Sequence, residues 1–348
     1  MAKIIGAQPL YGYEDGTQVY VPGRRPLNIV VIGGGHGQST ALRGLKRYTP
    51  NLTGIVAVSD DGGGSGVLRE DLGILPPGDI RNCIISLSNT EPLLEKLMSY
   101  RFETGTLQGQ SFGNLFLAAM SEVCGSFDEA IQRMCELLSV TGRVLPVTNE
   151  NIFLEAEFEN GRTTLGESNI YLDKKLSGCR IREVRLCPAH PRALNASVLA
   201  ILEADIVLIG PGSLYTSVIP NFLVDGITEA VAATKALRIF VMNVMTQDGE
   251  TEGYTGIDHI RAFCDHAAPG LIDVCLSNSA PIDEDVLEAY RREDSEPIRL
   301  CADEIEAFGI ETVQLPLIAH SRYARHDPEK LAEAVLEIHD RLRPAGRR

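Results

Sequence analysis

Short apolar runs recur along the chain from residue 27 onward, and polar, glycine-rich segments separate them. The runs that are apolar on both faces lie at 28–32, 54–58, 205–209, 238–244 and 271–276. Such runs are typical of parallel strands that are covered on both faces. Between them, apolar residues recur at helical spacing, for example at 39–47, 114–124, 193–204, 220–233 and 256–267. This alternation predicts an α/β fold with a doubly wound, mostly parallel sheet.

One segment, between about residues 143 and 187, departs from this rhythm. Residues 152–158 alternate apolar and acidic side chains, and Asn160-Gly161 follows them. Asn-Gly between alternating runs is a strong hairpin signal, so we predict a small antiparallel excursion here. Residues 1–26 show no periodic pattern. We therefore expect an N-terminal tail at 1–26 and one α/β domain at 27–345.

Composition and charge narrow the class of protein and its partners. The chain has 348 residues, 44% of them apolar, and a net charge of −15. This charge repels phosphate backbones and anionic lipid, so we expect neither nucleic acid nor a membrane as partner. No apolar run approaches the roughly 18 residues of a membrane span. The N-terminus has no signal pattern, and the eight cysteines form no C-x-x-C pair, which together predict a cytoplasmic protein with reduced thiols.

The first candidate site is the loop that follows the first apolar run, since ligands of doubly wound sheets bind beyond the carboxyl ends of the strands. Glycines stand here at positions 33, 34, 35 and 37, and His36 lies among them. Backbone amides of such a loop favour phosphate binding, and the alternative is a turn that only packs a helix against a strand. Gln38 spoils the G-x-G-x-x-G fingerprint, and no Gly-Lys-Ser/Thr follows to make a P-loop.

Acidic residues mark the loop after the second run. Asp60 and Asp61, followed by glycines within 59–66, could hold Mg²⁺ or accept hydrogen bonds from sugar hydroxyls, and the alternative is a solvated loop. The segment 76–82 then opens a helix, with Asn82 at its end. Asp79 in this segment is either an N-cap or a ligand contact.

Hydroxyl and amide side chains follow the later strands. Gly212, Ser213 and Thr216 lie after the third run, and Asn243 and Thr246 lie after the fourth. Several polar loops that meet at one sheet edge suit a polyhydroxylated ligand. The seven histidines show no ligand spacing, so we expect no structural metal.

Taken together, these loops resemble the gluconeogenesis factor family (YvcK-like), which is related to 2-phospho-L-lactate transferase. The matching motifs lie at 31–35, 59–66, 75–83, 210–217, 219–221, 245–247 and 249–251, and the match runs from about residue 27 to 340. The resemblance implies a CofD-like, Rossmann-related fold and a cytoplasmic protein that binds UDP-N-acetylglucosamine or a related UDP-sugar. Members are linked to cell shape and to cell-wall precursor supply during gluconeogenic growth, with no settled reaction.

The resemblance also assigns two residues to the UDP-sugar site. Tyr290 corresponds to a tyrosine that can stack on uracil, and Arg325 to an arginine that can grip a diphosphate. Two positions depart from the family pattern. His36 stands where Thr is common, and it could contact phosphate when protonated. Pro328 stands where some relatives carry Thr, so phosphorylation is not expected there.

Two functions of different class follow from these observations. The leading hypothesis is a non-catalytic UDP-sugar sensor, expected to be a homo-oligomer, whose occupancy alters its contacts with protein partners in cell-wall metabolism. The alternative is a transferase that acts on a nucleotide-activated substrate, with Mg²⁺ at Asp60 and Asp61 and the glycine loops stabilising the departing diphosphate. A nicotinamide dehydrogenase is disfavoured by Gln38.

Overall fold

A computed structural model of the chain describes residues 11–14, 17–20, 25–319 and 322–343. The predicted tail, 1–26, lies largely outside the described residues, although an antiparallel strand pair that was not predicted falls within it. Arg25, just before the domain, donates to the Asp205 carboxylate at 2.9 Å.

The strands are β1 (Tyr11–Glu14), β2 (Thr17–Tyr20), β3 (Ile29–Gly33), β4 (Leu52–Val56), β5 (Arg143–Pro146), β6 (Phe153–Phe158), β7 (Thr163–Leu165), β8 (Ile181–Cys187), β9 (Ile206–Ile209), β10 (Leu237–Val241), β11 (Val274–Asn278) and β12 (Glu311–Leu315). The α-helices are α1 (Gly35–Leu45), α2 (Gly63–Leu72), α3 (Pro77–Leu87), α4 (Pro92–Ser99), α5 (Phe112–Cys124), α6 (Phe127–Leu137), α7 (Glu167–Ser177), α8 (Asn195–Leu202), α9 (Ile219–Phe222), α10 (Ile227–Ala233), α11 (Gly256–His266), α12 (Glu284–Arg291), α13 (Ala302–Glu306) and α14 (Pro328–Leu342). A π-helical turn spans Leu214–Val218.

Within the described chain, the main sheet has seven strands in the order β12-β11-β10-β9-β3-β4-β5, and neighbouring strands run parallel. The doubly wound α/β prediction is therefore confirmed. Strands β3, β4 and β9 are buried along their whole length, because helices cover the sheet on both faces. Strand order reverses between β3 and β9, which opens a crevice at the carboxyl ends of these two strands.

The antiparallel excursion is also confirmed, with one correction to its boundary. In the described residues, β6, β7 and β8 form a three-stranded antiparallel sheet, and β6 alternates buried and half-buried residues as its sequence predicts. Asn160-Gly161 forms the turn between β6 and β7, and Gly161 has φ +79°. Residues 143–146, predicted as part of the excursion, instead pair in parallel with β4, because their apolar residues are buried at the edge of the main sheet.

Other boundaries differ from the sequence predictions. Strand β12 was not predicted, since an edge strand with half-exposed residues lacks a continuous apolar run. The polar segment 59–66 was predicted as a loop, but α2 begins inside it at Gly63. The helix predicted at 220–233 is interrupted before α10, where Gly226 has φ +101°.

Gln38, the residue that breaks the dinucleotide fingerprint, is fully buried on α1. Its amide nitrogen donates to the carbonyls of Val31 at 2.9 Å and Ile55 at 2.7 Å. Its amide oxygen accepts from the Cys83 thiol at 3.3 Å. This one side chain therefore ties α1 to β3, β4 and α3. A glycine at this position would leave those carbonyls without this donor.

The eight cysteines are all free thiols, as predicted. Cys83 and Cys275 are buried, whereas Cys187 is exposed. In the parts of the chain that the structure describes, no helix is long and apolar enough to cross a membrane.

We expect Gln38→Met to lower the free energy of unfolding by about 2 kcal/mol, because it removes three buried hydrogen bonds, one of them the weak bond from the Cys83 thiol, at nearly constant volume. Urea unfolding measures the change. The control is Gln132→Met, the same substitution at an exposed position of α6, which should stay within about 0.5 kcal/mol of wild type. Equal effects of the two substitutions would contradict the role assigned to Gln38.

Candidate functional site

A cavity of about 470 Å³ lies in the crevice beyond the carboxyl ends of β3 and β9. The loops after these strands form two of its walls, and the segment before α14 forms a third. The polar and glycine residues that line it are Gly34, Gly35, His36, Gly37, Thr40, Asp60, Asp79, Glu167, Gly212, Ser213, Ser217, Asn243, Gln247, Arg325 and His326.

The structure brings most of the predicted site residues to this one cavity. The predicted residues that line it are Gly34, Gly35, His36, Gly37, Asp60, Gly212, Ser213, Asn243 and Arg325. The predicted residues outside its lining are Gly33, Asp61, Asn82, Thr216, Thr246 and Tyr290. The residues of the first set come from five separate stretches of the chain, so the convergence of loops predicted from the sheet type is present.

The remaining predicted residues lie near the cavity but have other partners. The Thr216 amide donates to Glu250, and Thr216 lines an adjoining cavity of about 400 Å³. Asn82 accepts a hydrogen bond from Arg81 at 2.7 Å. The Thr246 hydroxyl is buried and accepts the Glu296 amide at 2.9 Å. Gly33 is buried at the end of β3, and its carbonyl accepts from the Asn221 side chain at 3.0 Å.

Tyr290 lies behind the Arg325 wall rather than in the cavity lining. It packs on α12 against a small apolar cluster that contains Val244, Ile318 and Ala324. Burial raises the pKa of its hydroxyl, which also forms a hydrogen bond with the Ala324 backbone, next to Arg325. In this arrangement Tyr290 supports the segment that carries Arg325.

Close packing explains part of the glycine pattern in the first loop. A Cβ on Gly34 would lie 2.8 Å from an Asp79 carboxylate oxygen, and a Cβ on Gly37 would collide with the Pro211 carbonyl. Gly35 has φ +64°, a conformation that favours glycine. The packing alternative therefore applies to Gly37, whose missing side chain lets the loops after β3 and β9 meet.

Carboxylates of the chain itself occupy two helix N-termini at the site. Asp79 accepts the Gly35 amide at the start of α1, so it caps a neighbouring helix and not its own. Glu250 accepts the amides of Tyr215 and Thr216, both at 2.9 Å, at the start of the π-helical turn. Helix N-termini favour negative charge, so these are positions where a bound anion would otherwise be expected.

The Gly212 amide, a further backbone donor at the site, also has a hydrogen-bond partner within the chain. Asn243 and Gly212 form a reciprocal pair, in which the Gly212 amide donates to the Asn243 side chain at 3.2 Å. The Asn243 amide nitrogen donates back to the Gly212 carbonyl at 2.7 Å. Asn243 therefore fixes the loop after β9, and a bound phosphate must find its donors elsewhere in the cavity.

The cavity has an acidic end, formed by Asp60, Asp79 and Glu167. Burial raises the pKa of Asp79 to about 6, and the negative charge of Asp60 contributes to this rise. Burial and the negative charges of Asp60 and Asp79 raise the pKa of Glu167 well above its ordinary value. Glu250, behind this end, has a pKa raised to about 7 by burial.

The end of the cavity that contains Arg325 is basic, and the charge of Arg325 acts on His36. Partial burial lowers the pKa of His36, and the charges of Arg325 and Arg81 lower it further. Near neutral pH the His36 ring is therefore mostly uncharged, so Arg325 is the cation of this end. His326 also lines the cavity; burial lowers its pKa to about 4, and its ring bonds to the Met242 backbone. Its Nε2 has no hydrogen-bond partner among the described residues.

Sequence reasoning did not select several cavity residues. Ser217 and Gln247 lie in polar loops that were recognised, and Gln247 accepts a hydrogen bond from Ser213 at 2.6 Å. Glu167 comes from the first turn of α7, in the antiparallel excursion. No motif marks it, and only the packing of that excursion against the main sheet brings it to the site.

Of the two aspartates predicted to hold Mg²⁺, Asp60 lines the cavity and Asp61 does not. The Asp61 carboxylate accepts the Ser168 amide at 2.9 Å. In the described residues, no group of three His, Cys, Asp or Glu side chains could hold a metal ion. Magnesium binding at Asp60 and Asp61 therefore stays a prediction, and the geometry of Asp61 does not support it.

Comparison with known proteins identifies similar chains over nearly the whole length. The family described as 2-phospho-L-lactate transferase CofD matches residues 29–318. A putative gluconeogenesis factor from Clostridium acetobutylicum is 49% identical over 310 residues, which cover 89% of this chain and 69% of that protein. Another from Thermoanaerobacterium thermosulfurigenes is 47% identical over 89% of this chain and 96% of that protein. A crystal structure of a Bacillus halodurans protein matches with a TM-score of 0.86 and 44% identity, covering 90% of this chain and 100% of that one.

Asp79→Asn should stabilise the protein at pH 8. Because the folded-state pKa is raised to about 6, the carboxyl group contributes stability at low pH that is lost as the pH rises through that value. The amide keeps an acceptor for Gly35, so we expect a gain of about 2–3 kcal/mol in unfolding free energy at pH 8. The gain should shrink as the pH falls towards 4. Urea unfolding at several pH values measures it, with the exposed Asp71→Asn as control; a gain independent of pH would refute the assignment.

Proposed function

Because this chain belongs to the CofD family, together with proteins named gluconeogenesis factors, we propose that it binds a UDP-sugar and acts as a regulator. UDP-N-acetylglucosamine or a close relative is the proposed ligand. Its occupancy would alter contacts with protein partners that control cell-wall precursor supply and cell shape during gluconeogenic growth. We place this role in the cytoplasm, where the eight free thiols would stay reduced.

The observation that carries the proposal is that Arg325 and the glycine loop line one cavity from opposite ends of the chain. A guanidinium group offers paired donors that match the oxygens of a diphosphate. The Arg325 guanidinium lies 4.8 Å from the centre of the Tyr323 ring, a cation–π contact that orients it. Since Asp79 and Glu250 already accept amides at the two nearby helix N-termini, Arg325 is the charged group best placed to bind phosphate.

The polarity of the cavity supports a sugar attached to that diphosphate. The acidic end offers the acceptor oxygens of Asp60, Asp79 and Glu167, and hydroxyl groups of a sugar are donors that suit them. Asp60 and Asp79 in their ionised forms would repel phosphate. A nucleotide sugar is therefore oriented with its diphosphate towards Arg325 and its sugar towards Asp60.

Calorimetric titration with UDP-N-acetylglucosamine tests this proposal. We expect the wild-type chain to bind, and Arg325→Ala to weaken binding by about 10- to 100-fold, the value of a charged hydrogen-bonded contact. The control is Arg341→Ala, an exposed arginine that pairs with Glu311 on the surface and should leave affinity unchanged.

Two negative results of this titration would have different meanings. Absence of binding by wild type would overturn the UDP-sugar proposal itself. Equal binding by wild type and Arg325→Ala would instead overturn the role of Arg325 while leaving the ligand in place.

A second candidate function, transferase activity, is favoured by one specific observation. Asp79 lines the cavity with a pKa raised to about 6, which suits a general base near neutral pH. Such a base could take the proton of an acceptor hydroxyl as it attacks a nucleotide-activated substrate. The family relationship to 2-phospho-L-lactate transferase points to the same reaction class.

Prolonged incubation with UDP-N-acetylglucosamine, Mg²⁺ and a panel of alcohol acceptors distinguishes enzyme from sensor. A transferase releases UDP or UMP, detected by chromatography, and Asp79→Asn should reduce the rate by about 100-fold or more. Nucleotide that stays intact, in samples where calorimetry shows binding, would exclude this second candidate for the acceptors used.

A further inference from the structure

A second cavity, of about 400 Å³, adjoins the cavity that contains Arg325, and we call it the adjoining cavity. Asp60, Glu167 and Gln247 line both cavities. Most of the remaining lining comes from the first two turns of α7 and from the loop after β10. The adjoining cavity therefore lies beside the acidic end of the first one.

Contacts between α7 and the loop after β10 build the walls of the adjoining cavity. The Tyr171 hydroxyl donates to the Asp248 carboxylate at 3.2 Å. Gly249 has φ +75°, and a Cβ at this position would collide with the Tyr171 ring. The missing side chain therefore lets the ring pack directly on the loop backbone. At the start of α7, the Ser168 amide donates to Asp61 at 2.9 Å, so the helix is held at this point as well.

The carboxyl group of Glu250 has one oxygen without a partner in this wall. The residue is 3% exposed. One oxygen, Oε1, accepts the amides of Tyr215 and Thr216, both at 2.9 Å. The other oxygen, Oε2, has no hydrogen-bond partner among the described residues. A buried acceptor without a partner costs free energy, so a donor on a bound molecule would stabilise it.

Asp248 offers a second acceptor of the same kind. Its Oδ2 accepts hydrogen bonds from the Tyr171 hydroxyl and, at 2.6 Å, from the Lys175 ammonium group. Its Oδ1 is buried and has no hydrogen-bond partner in the described parts of the chain. Two carboxylate oxygens of one loop are therefore open to a donor.

Negative charge exceeds positive charge in the lining of the adjoining cavity. Four residues of the lining are acidic, and within the described chain none of them is basic. The charge of Arg69 acts on Asp60, whereas no salt bridge of the described residues includes Glu167 or Glu250. An occupant with a positive charge would therefore be attracted to this cavity.

The rest of the lining fits an organic molecule better than a metal ion. No group of three His, Cys, Asp or Glu side chains in the described residues could hold a metal. The lining also contains apolar side chains: Ile170 is buried, Tyr171 is 42% exposed and Leu172 is 55% exposed. Apolar walls with a few well-placed polar groups are typical of sites for small organic molecules.

We propose that the adjoining cavity binds a small organic cation, whose ammonium group donates to the free oxygen of Glu250 and whose apolar portion packs on Tyr171 and Leu172. An ammonium group has three donors and no acceptor, which suits carboxylate oxygens. The proposal does not depend on UDP-sugar binding, because different residues carry it and its test contains no nucleotide.

This pairing makes binding depend on pH. Burial raises the pKa of Glu250 to about 7, so part of its population is protonated near neutral pH. An ammonium group favours the ionised carboxylate, and binding should therefore tighten as the pH rises from 6 to 8. The titratable groups around Glu250 are Asp248 and Glu252 of its own loop, Glu167, Tyr171, Lys174 and Lys175 of α7, Asp60 after β4, and Tyr215 of the π-helical turn.

Titration of the full chain with 2-phenylethylamine and with 2-phenylethanol, followed by ligand-observed NMR, tests the proposal. The two probes have similar shapes, and only the amine carries a positive charge. We expect the amine to bind at pH 8 and the alcohol to bind at least about 10-fold more weakly. The affinity for the amine should fall several-fold at pH 6, since Glu250 then holds a proton.

Glu250→Gln separates this contact from the general effect of negative charge. The variant keeps an acceptor for the Tyr215 and Thr216 amides but loses the charge. It should weaken amine binding at pH 8 by about 10-fold, remove most of the pH dependence, and leave alcohol binding unchanged. The matched control is Glu296→Gln, which removes an exposed charge from a separate cavity of about 520 Å³ and should bind both probes as wild type does.

Leu172→Ala provides a second test at a solvent-exposed position, where folding does not depend on the side chain. It should weaken both probes by a similar factor of about 5, because each loses the same apolar contact. Leu176→Ala, at an 84% exposed position of the same helix, should change neither affinity.

Four results would overturn the proposal. The first two are binding of neither probe and equal binding of the amine and the alcohol. The third is equal loss of amine binding in Glu250→Gln and Glu296→Gln, since the overall charge would then explain the attraction. The fourth is unchanged binding of both probes by Leu172→Ala, which would place the probes outside the adjoining cavity.

Discussion

The close approach of two backbone loops, after β3 and after β9, is the constraint on which the rest of the site depends. These strands are neighbours at the point where strand order reverses, and a crevice opens beyond their carboxyl ends. Gly37 leaves room for the Pro211 carbonyl, and the buried Asn221 side chain bonds to the Gly33 carbonyl. The Gln38 side chain donates hydrogen bonds to two strand carbonyls and so fixes the start of α1, which follows the first loop. The cavity is therefore built on rigid backbone contacts.

The same constraint explains why carboxylates are buried here. Helix N-termini converge on the crevice, and their amides offset part of the cost of burying Asp79 and Glu250. The offset is incomplete, because both pKa values stay raised. A site that holds unfavourable charge near neutral pH sacrifices stability for a polar surface that a ligand can meet.

Net charge and local charge consequently have different meanings in this protein. The value of −15 argues against polyanionic partners, and the acidic end of the cavity agrees with that sign. The proposed diphosphate would meet the opposite charge at Arg325, which lies close enough to the mostly neutral His36 to lower the pKa of its ring. A single guanidinium group decides this, because electrostatic attraction at contact distance outweighs a screened field from the whole surface.

The sequence by itself determined the doubly wound sheet, the antiparallel excursion with its Asn160-Gly161 turn, and the loops that carry the site. Periodicity and turn residues encode these features locally, since burial repeats along a strand or helix. Only the tertiary structure decided that Glu167 reaches the cavity, that Asp61 turns towards Ser168, and that Tyr290 lies behind Arg325. The edge strand β12 also escaped prediction, because its half-exposed residues lack a continuous apolar run. Strand β5 was assigned to the antiparallel excursion, and only its burial against β4 places it in the main sheet. Side-chain direction and contacts between distant segments depend on how the elements pack, and no local pattern in the chain records that.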